Sequence, residues 1–324
     1  MSQKQSTPVF IQLGLPKTAT TTIRFNLFAR HSQVYYLGKF LGGGFPAAVR
    51  PVLVDKFVPI KTFDEGDIHQ ASINEQLAYA AENHLKPVLA QEGLAGGFLR
   101  SKRRQASLFK DNFGSCKAIL FVREQTSFLK SFYVQMLRNF NQGSAGKDPR
   151  WMYLLGKPPR YFDINQWMTW AWHIGGVPQG YIRYADTAAA YASVFGMENV
   201  RIFIFEQFVQ QPEVFVRSLC EFIGIDETEA FELMRAKRSN VRLTTAYIEN
   251  VQNTERSATL KKAFRQASQE ERRRLLIPER SDGERINPVF SPKWLDKIDK
   301  LSRKQNRRLA ANWNLPVKDF GYKI

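Results

Sequence analysis

The chain has 324 residues, of which 44% are hydrophobic and 24% charged, enough to bury the core of one large α/β domain. That balance excludes an extended disordered chain, a collagen-like repeat and a coiled-coil rod. A formal net charge of +17 points to anionic partners (nucleic acid, acidic lipid, a polyanionic sugar or a phosphorylated nucleotide) and says nothing about the fold.

The first seven residues read as a flexible N-terminus, and Met1–Pro8 lacks the apolar stretch of a secretory signal. No apolar run reaches the roughly 18 residues that span a bilayer. The expectation is a cytoplasmic protein, with any membrane contact peripheral. Val9–Leu13 is the first short, β-branched and aromatic run, and a helix is expected over Thr20–Arg30. Further strands are expected at Val34–Leu37, Pro87–Gln91, Lys117–Val122 and Val200–Phe205. Between them lie helix-like stretches at Ile68–Asn83, Ser127–Arg138, Ile164–Trp172, Thr187–Phe195 and Pro212–Ile223, the last with Pro212 in its first turn and Gly224 as its cap. Cys116 and Cys220 lie beside apolar runs with no second ligand at metal spacing, so both read as buried free thiols suited to a reducing compartment.

From about Ser239 the chain turns helical and basic, with helices expected over Thr254–Leu276 and from Trp294 to about Trp313. Residues 8–324 read as one domain, and residues 239–324 as its cap or terminal layer. The dense basic stretches Ser101–Arg104, Glu270–Arg274 and Arg303–Arg308 read first as solvated helix faces. Strands alternating with helices imply an α/β fold with a mostly parallel sheet of about five strands, covered by helices on both faces. Ligands in such sheets bind beyond the carboxyl ends of the strands.

The first strand runs into Gly14-Leu15-Pro16-Lys17-Thr18-Ala19-Thr20-Thr21 and then a helix. Unsatisfied N–H groups at a helix start attract anions, Lys17 adds a full charge, and the threonines add hydroxyls. The plainer reading is a threonine-capped helix. The loop is not a Walker A motif, because only Gly14 precedes Lys17. The fourth strand ends at Arg123, with Ser131 eight residues on inside a helix-like stretch. An arginine fork and a serine hydroxyl suit a phosphate dianion, and pairing of Arg123 with Glu124 or Glu206 is the plainer alternative.

Together, Pro16-Lys17-Thr18-Ala19-Thr20-Thr21 and the Arg123/Ser131 pair resemble the two phosphate elements of sulfotransferases that use 3′-phosphoadenosine-5′-phosphosulfate (PAPS). The likeness extends more loosely to Val200–Phe208, the Pro212 helix, and the closing Asn306–Trp313 and Phe320–Tyr322, which look like bacterial, carbohydrate-type members. It departs at Ala19, where the family usually has glycine, and at Thr22, where some members carry an adenine-stacking tryptophan. The resemblance implies a P-loop-like nucleotide fold. It further implies transfer of a sulfuryl group from PAPS to a hydroxyl by in-line single displacement, leaving 3′-phosphoadenosine-5′-phosphate (PAP), with no metal required. Leu15 to Thr21 would hold the 5′-phosphosulfate, Arg123 and Ser131 the 3′-phosphate, and Asn240 and Arg242 a loop closing over the nucleotide.

For the base, Glu92 stands at the carboxyl end of the third strand, where a salt bridge or a helix cap is the competing role. Among His31, His69, His84 and His173, His69 at a loop-to-helix junction is the rival. Leu41–Val58 and Asn139–Tyr161, with Trp151 and Tyr153, are candidate acceptor loops. The charge suits an anionic glycan or glycolipid acceptor. A nucleoside or sugar kinase and a basic nucleic-acid-binding protein are the alternative functions.

Overall fold

The computed structural model describes residues 7–39, 66–90, 92–96, 99–141, 163–172, 177–235 and 284–324. Five strands form one sheet: β1 (Val9–Gly14), β2 (Val34–Lys39), β3 (Lys86–Ala90), β4 (Cys116–Val122) and β5 (Val200–Ile204). Their order is β2-β3-β1-β4-β5, and every neighbouring pair is parallel. All six residues of β1 are buried, as expected of a strand covered on both faces, and this is why the strands read as continuous apolar runs rather than alternating ones.

The chain divides into two compact units. One comprises Met1–Glu124, Gly180–Arg238 and Leu301–Ile324, and the other Gln125–Gln179 and Ser239–Lys300. The first contains the whole sheet. On one of its faces Phe10, Val88, Ile119, Phe121 and Phe203 pack under the segment after β1 and under α9 (Pro212–Ile223). Phe121, Phe203, Phe208 and Phe215 meet with ring centroids 5.1–5.8 Å apart, the spacing of favourable offset and edge-to-face pairs. On the other face lies α7 (Tyr184–Phe195), which packs on β4 and β5 and against α3 (Leu99–Phe113). The remaining helices are α1 (Thr20–Thr22), α2 (Gly66–Glu82), α4 (Gln125–Asn141), α5 (Ile164–Ala171), α6 (Val177–Ile182), α8 (Phe205–Gln210), α10 (Glu227–Met234) and α11 (Pro292–Trp313).

The second unit gathers aromatic side chains. Phe128 stacks on Phe132, and Trp167 packs against Phe132 and Tyr133. Asp163 starts α5 with a complete capping box to Gln166, which satisfies two otherwise orphaned N–H groups. The Asn165 side chain then donates to Val289 O and accepts from Ser291 N–H.

Several local expectations need amending. The first helix is α for only one turn and widens into a π-helix over Ile23–Phe28, so His31 lies beyond its end, buried, with Nε2 against the Asp226 carbonyl. Phe205 begins α8 rather than ending β5, and α7 starts at Tyr184, three residues before the expected Thr187. Helices α6 and α10 were not expected at all, and α3 only as a solvated helix face over Ser101–Arg104. Both cysteines are buried free thiols, and burial pushes each up to about 12. No described helix is long and apolar enough to cross a membrane. The expected helix over residues 254–276, both acceptor-loop candidates apart from residues 139–141, His173, Asn240 and Arg242 lie outside the described residues.

Candidate active site

Sheet order locates the site. From β1 the chain crosses toward the β2 edge, and from the adjacent β3 it crosses toward β4 and β5. Right-handed connections that leave β1 and β3 in opposite directions lie on opposite faces of the sheet, and a crevice opens beyond neighbouring strands whose connections part in this way. The Lys17 loop and Glu92 flank that point.

The loop after β1 is shaped by two left-handed residues, Lys17 (φ 67) and Ala19 (φ 60, ψ 11). Ala19 occupies the position where a glycine would be unstrained, so its methyl is held in a conformation that costs a non-glycine residue about 1–2 kcal/mol. Ala19 is also the N-cap of α1 and makes no side-chain capping bond. The threonine run therefore does not cap this helix, contrary to the plainer sequence reading. The Thr18 hydroxyl, buried, donates to Leu15 O at 2.6 Å and closes the loop on itself. Leu15 N–H donates to Phe121 O of β4 at 3.1 Å. Leu15 and Pro16 are buried, the Lys17 side chain is exposed, and Thr21 is half-buried.

Glu92 opens a short 3-10 turn (Glu92–Ala95) just past β3. Its Oε1 accepts the Thr20 hydroxyl at 3.0 Å and lies 4.0 Å from an Arg24 nitrogen. Thr20 and Arg24 are four residues apart and both reach the carboxylate. Gly14 makes the approach possible, because a Cβ there would stand 2.4 Å from Glu92 O and 2.9 Å from its C and Cα. Two tyrosines complete the surroundings. Burial pushes Tyr36 up to about 12, with Arg24 opposing and Glu92 adding to the shift. Burial and then Glu92 push Tyr181 to about 12 as well. Both phenols are thus neutral at ordinary pH and act only as hydrogen-bonding groups.

Arg123 stands at the end of β4, and its Nη1 donates to Lys17 O at 3.1 Å. The guanidinium lies 4.8 Å from the Phe205 ring centroid, a cation–π distance. Burial lowers its pKa, opposed by Glu206 first and then Tyr184, Glu124 and Tyr322. The Arg123 carbonyl accepts from Tyr184 Oη at 2.7 Å, Glu124 N–H donates to Glu206 Oε1 at 3.0 Å, and Tyr322 Oη donates to Glu206 Oε2 at 3.0 Å. Burial raises the Glu206 carboxyl, and those hydrogen bonds and Arg123 oppose it. The carboxyl ends of β3, β1, β4 and β5 are therefore joined in series: Glu92 to Thr20, Lys17 to Arg123, Glu124 to Glu206.

Of the sequence candidates, the structure brings together Glu92, the loop from Leu15 to Thr21, and Arg123. Ser131 is half-buried on α4 and belongs to the second unit. His69 falls within the first turn of α2, and His84 follows that helix at φ 56. Sequence reasoning passed over Arg24, Tyr36, Tyr181, Tyr184 and Tyr322. Two left a trace, Arg24 in its i,i+4 spacing from Thr20 and Tyr322 within the family-like closing stretch Phe320–Tyr322.

No protein-family model matches the chain, and no curated protein matches it. Among solved structures it is similar to a sulfotransferase from Alicyclobacillus acidocaldarius, at 14% identity over 99% of both chains with a TM-score of 0.55. It also matches mouse sulfotransferase SULT7A1 complexed with PAP, at 13% identity over 93% of this chain and 85% of that one, TM-score 0.42. A third match is the sulfotransferase domain from the curacin biosynthetic pathway, at 16% identity over 74% and 82%, TM-score 0.41. The first of these establishes the architecture as that of a sulfotransferase: an all-parallel five-stranded sheet flanked by helices.

Proposed function

We propose that this protein is a sulfotransferase that moves the sulfuryl group of PAPS to a hydroxyl of a carbohydrate or glycolipid acceptor. The observation that carries this reading is the junction of the two phosphate elements: Arg123, at the end of β4, hydrogen-bonds the backbone of Lys17 in the loop after β1. In a fold of this architecture, that puts a guanidinium and a lysine-bearing loop at one edge of the crevice and a carboxylate at the other.

The loop from Leu15 to Thr21 receives the 5′-phosphosulfate through its N–H groups, and Lys17 neutralises the charge that grows on the 5′-phosphate as it leaves. Arg123 takes the 3′-phosphate through its planar fork. Ser131 is the second donor there on the resemblance alone, as are Asn240 and Arg242 for the closing loop. Glu92 accepts the proton of the acceptor hydroxyl. The acceptor oxygen forms its bond to sulfur, the bond from sulfur to the bridging oxygen of the 5′-phosphate breaks, and the electron pair departs with PAP. Arg24, 4.0 Å from Glu92, and the Thr20 hydroxyl at 3.0 Å hold that carboxylate in place at the end of β3. The excess of cations, 47 against 30 acidic residues, favours an anionic glycan as acceptor.

Calorimetric titration with PAP, with AMP as control and no magnesium, tests the donor site. Wild type should bind PAP at least tenfold more tightly than AMP, and Arg123→Ala should erase that margin while leaving AMP affinity alone. Equal affinities in wild type would refute the reading. Glu92→Gln should retain PAP binding and lose about 10²–10⁴-fold in turnover, whereas unchanged turnover on a panel of hydroxyl acceptors would remove Glu92 as base.

A further inference from the structure

Arg123 is held from its backbone as well as its side chain. The residue caps β4 where the strand has run out of ladder partners, so its peptide groups must be fixed by other means. Its carbonyl is gripped by the Tyr184 hydroxyl at 2.7 Å, and the next N–H, on Glu124, by the Glu206 carboxylate at 3.0 Å. Glu206 is itself oriented by the Tyr322 hydroxyl at 3.0 Å on its other oxygen. Tyr184 and Tyr322 are 1% and 3% exposed, so these contacts are not loosened by solvent. Tyr322 follows the 3-10 turn Val317–Phe320 and the left-handed Gly321, a segment far from β4 in sequence.

From this geometry we infer that Glu206 and Tyr322 are positioning residues for the 3′-phosphate. They fix the Arg123–Glu124 peptide, and thereby the direction in which the guanidinium is presented, without touching the nucleotide themselves. The inference rests on the donor-binding reading above. Arginine carries five donors on a flexible stem, and a fork selects a doubly charged phosphate over water only when its plane is aimed in advance. Here three elements supply that aim: α7 through Tyr184, the β5–α8 junction through Glu206, and the C-terminal segment through Tyr322. The Phe205 ring beneath the guanidinium is the neighbour of Glu206 in sequence, so a shift of Glu206 would tilt the platform together with the peptide.

A purely structural network would change stability and leave ligand selectivity alone; a positioning network changes selectivity. Tyr322→Phe keeps the ring and removes only the hydroxyl. Calorimetry with PAP and AMP should show its PAP affinity reduced about tenfold and its AMP affinity unchanged. Tyr184→Phe should shift in the same direction, and Glu206→Gln, which keeps an acceptor for Glu124 N–H, should retain more of the PAP preference than Glu206→Ala. A wild-type preference for PAP that persists undiminished in Tyr322→Phe and Glu206→Ala, whatever happens to their melting temperatures, overturns the inference alone. A wild type with no preference for PAP removes the donor-binding reading and this inference with it.

Discussion

Replacing Gly14 by alanine tests the contact that sets the width of the crevice. Gly14 ends β1 at φ +107, a conformation that side-chain-bearing residues rarely adopt, and an added Cβ would lie 2.4 Å from Glu92 O and 2.9 Å from two more backbone atoms of Glu92. Two costs add. Backbone strain at such an angle is about 1–3 kcal/mol, and forcing a methyl into filled space costs about 1–3 kcal/mol when the neighbours are backbone atoms that cannot rotate away. Gly114 supplies the control, with φ +73 and nothing within 4 Å of an added methyl, so Gly114→Ala bears strain of about 1–2 kcal/mol and no clash. Both variants share the entropic gain of about 0.4–1 kcal/mol from a stiffer unfolded chain. Urea unfolding followed by circular dichroism should therefore place Gly14→Ala about 1–4 kcal/mol below Gly114→Ala. Turnover should fall further in Gly14→Ala, because relief of the clash moves Glu92, and a shift near 1 Å in a reacting group costs about 10²-fold. Two variants of equal stability would show that β1 and the Glu92 turn are not in backbone contact, and the account of the crevice would fail.

Lys102 gives a pH signature. Its amine is buried on α3, donating to Gly180 O and Thr187 Oγ1 at 2.8 and 2.6 Å, and burial lowers it from 10.5 to about 7, with Asp186 opposing and Arg183 adding. Between those values the unfolded chain holds a proton that the folded one has shed, so stability should rise with pH by up to about 1.4 kcal/mol per unit. The window closes near pH 9.0, where the two cysteines, raised to about 12 in the fold, begin to favour the unfolded chain. Denaturation midpoints between pH 7 and 8.5 should climb in wild type and flatten in Lys102→Met; an identical climb in the variant would refute the assignment. At Ala19, glycine relieves strain of about 1–2 kcal/mol but forfeits a methyl packed on the core and loosens the unfolded chain. Ala19→Gly should thus lie between neutral and about 1 kcal/mol more stable, with Ala19→Val strongly destabilised. A large loss in Ala19→Gly would mean that the left-handed angle carries no strain.

The five strands were legible because each reads as a short apolar run between turn residues, and the central ones, β1 and β4, are almost wholly buried. The loop of Lys17 and the end of β4 were legible for a related reason: each is a local stretch of chain, complete within a few residues. Helix α3 was hidden by its own chemistry. Its buried positions, Lys102, Ala106, Phe109 and Phe113, keep a helical spacing, but the first is a lysine inside Ser101–Arg104, which reads as a solvated charge run. The widening of the first helix into a π-helix has no signature in side-chain type. Glu206 was legible as a neighbour of Arg123 but not in its role, since a carboxylate that takes an amide and a phenol looks, in sequence, like any ion-pair partner. Tyr36, the Tyr181/Tyr184 pair and Tyr322 come to the site by tertiary folding from three distant segments, and nothing local distinguishes them from other tyrosines.

The sheet order also bears on how the molecule is made. β1 is made before the other four strands of the sheet, yet it belongs at the centre, and one of its edges is closed only by β3 and the other only by β4. Until Cys116–Val122 has been synthesised, Val9-Phe-Ile-Gln-Leu is an uncharged apolar strand with at least one open edge, the kind of segment that associates with copies of itself. Translation at about 5–20 residues per second leaves it in that state for several seconds on every nascent chain. High-level expression should for that reason be limited by chaperone supply rather than by the stability of the finished fold, and lower temperature or slower induction should raise the soluble fraction more than any stabilising substitution far from β1.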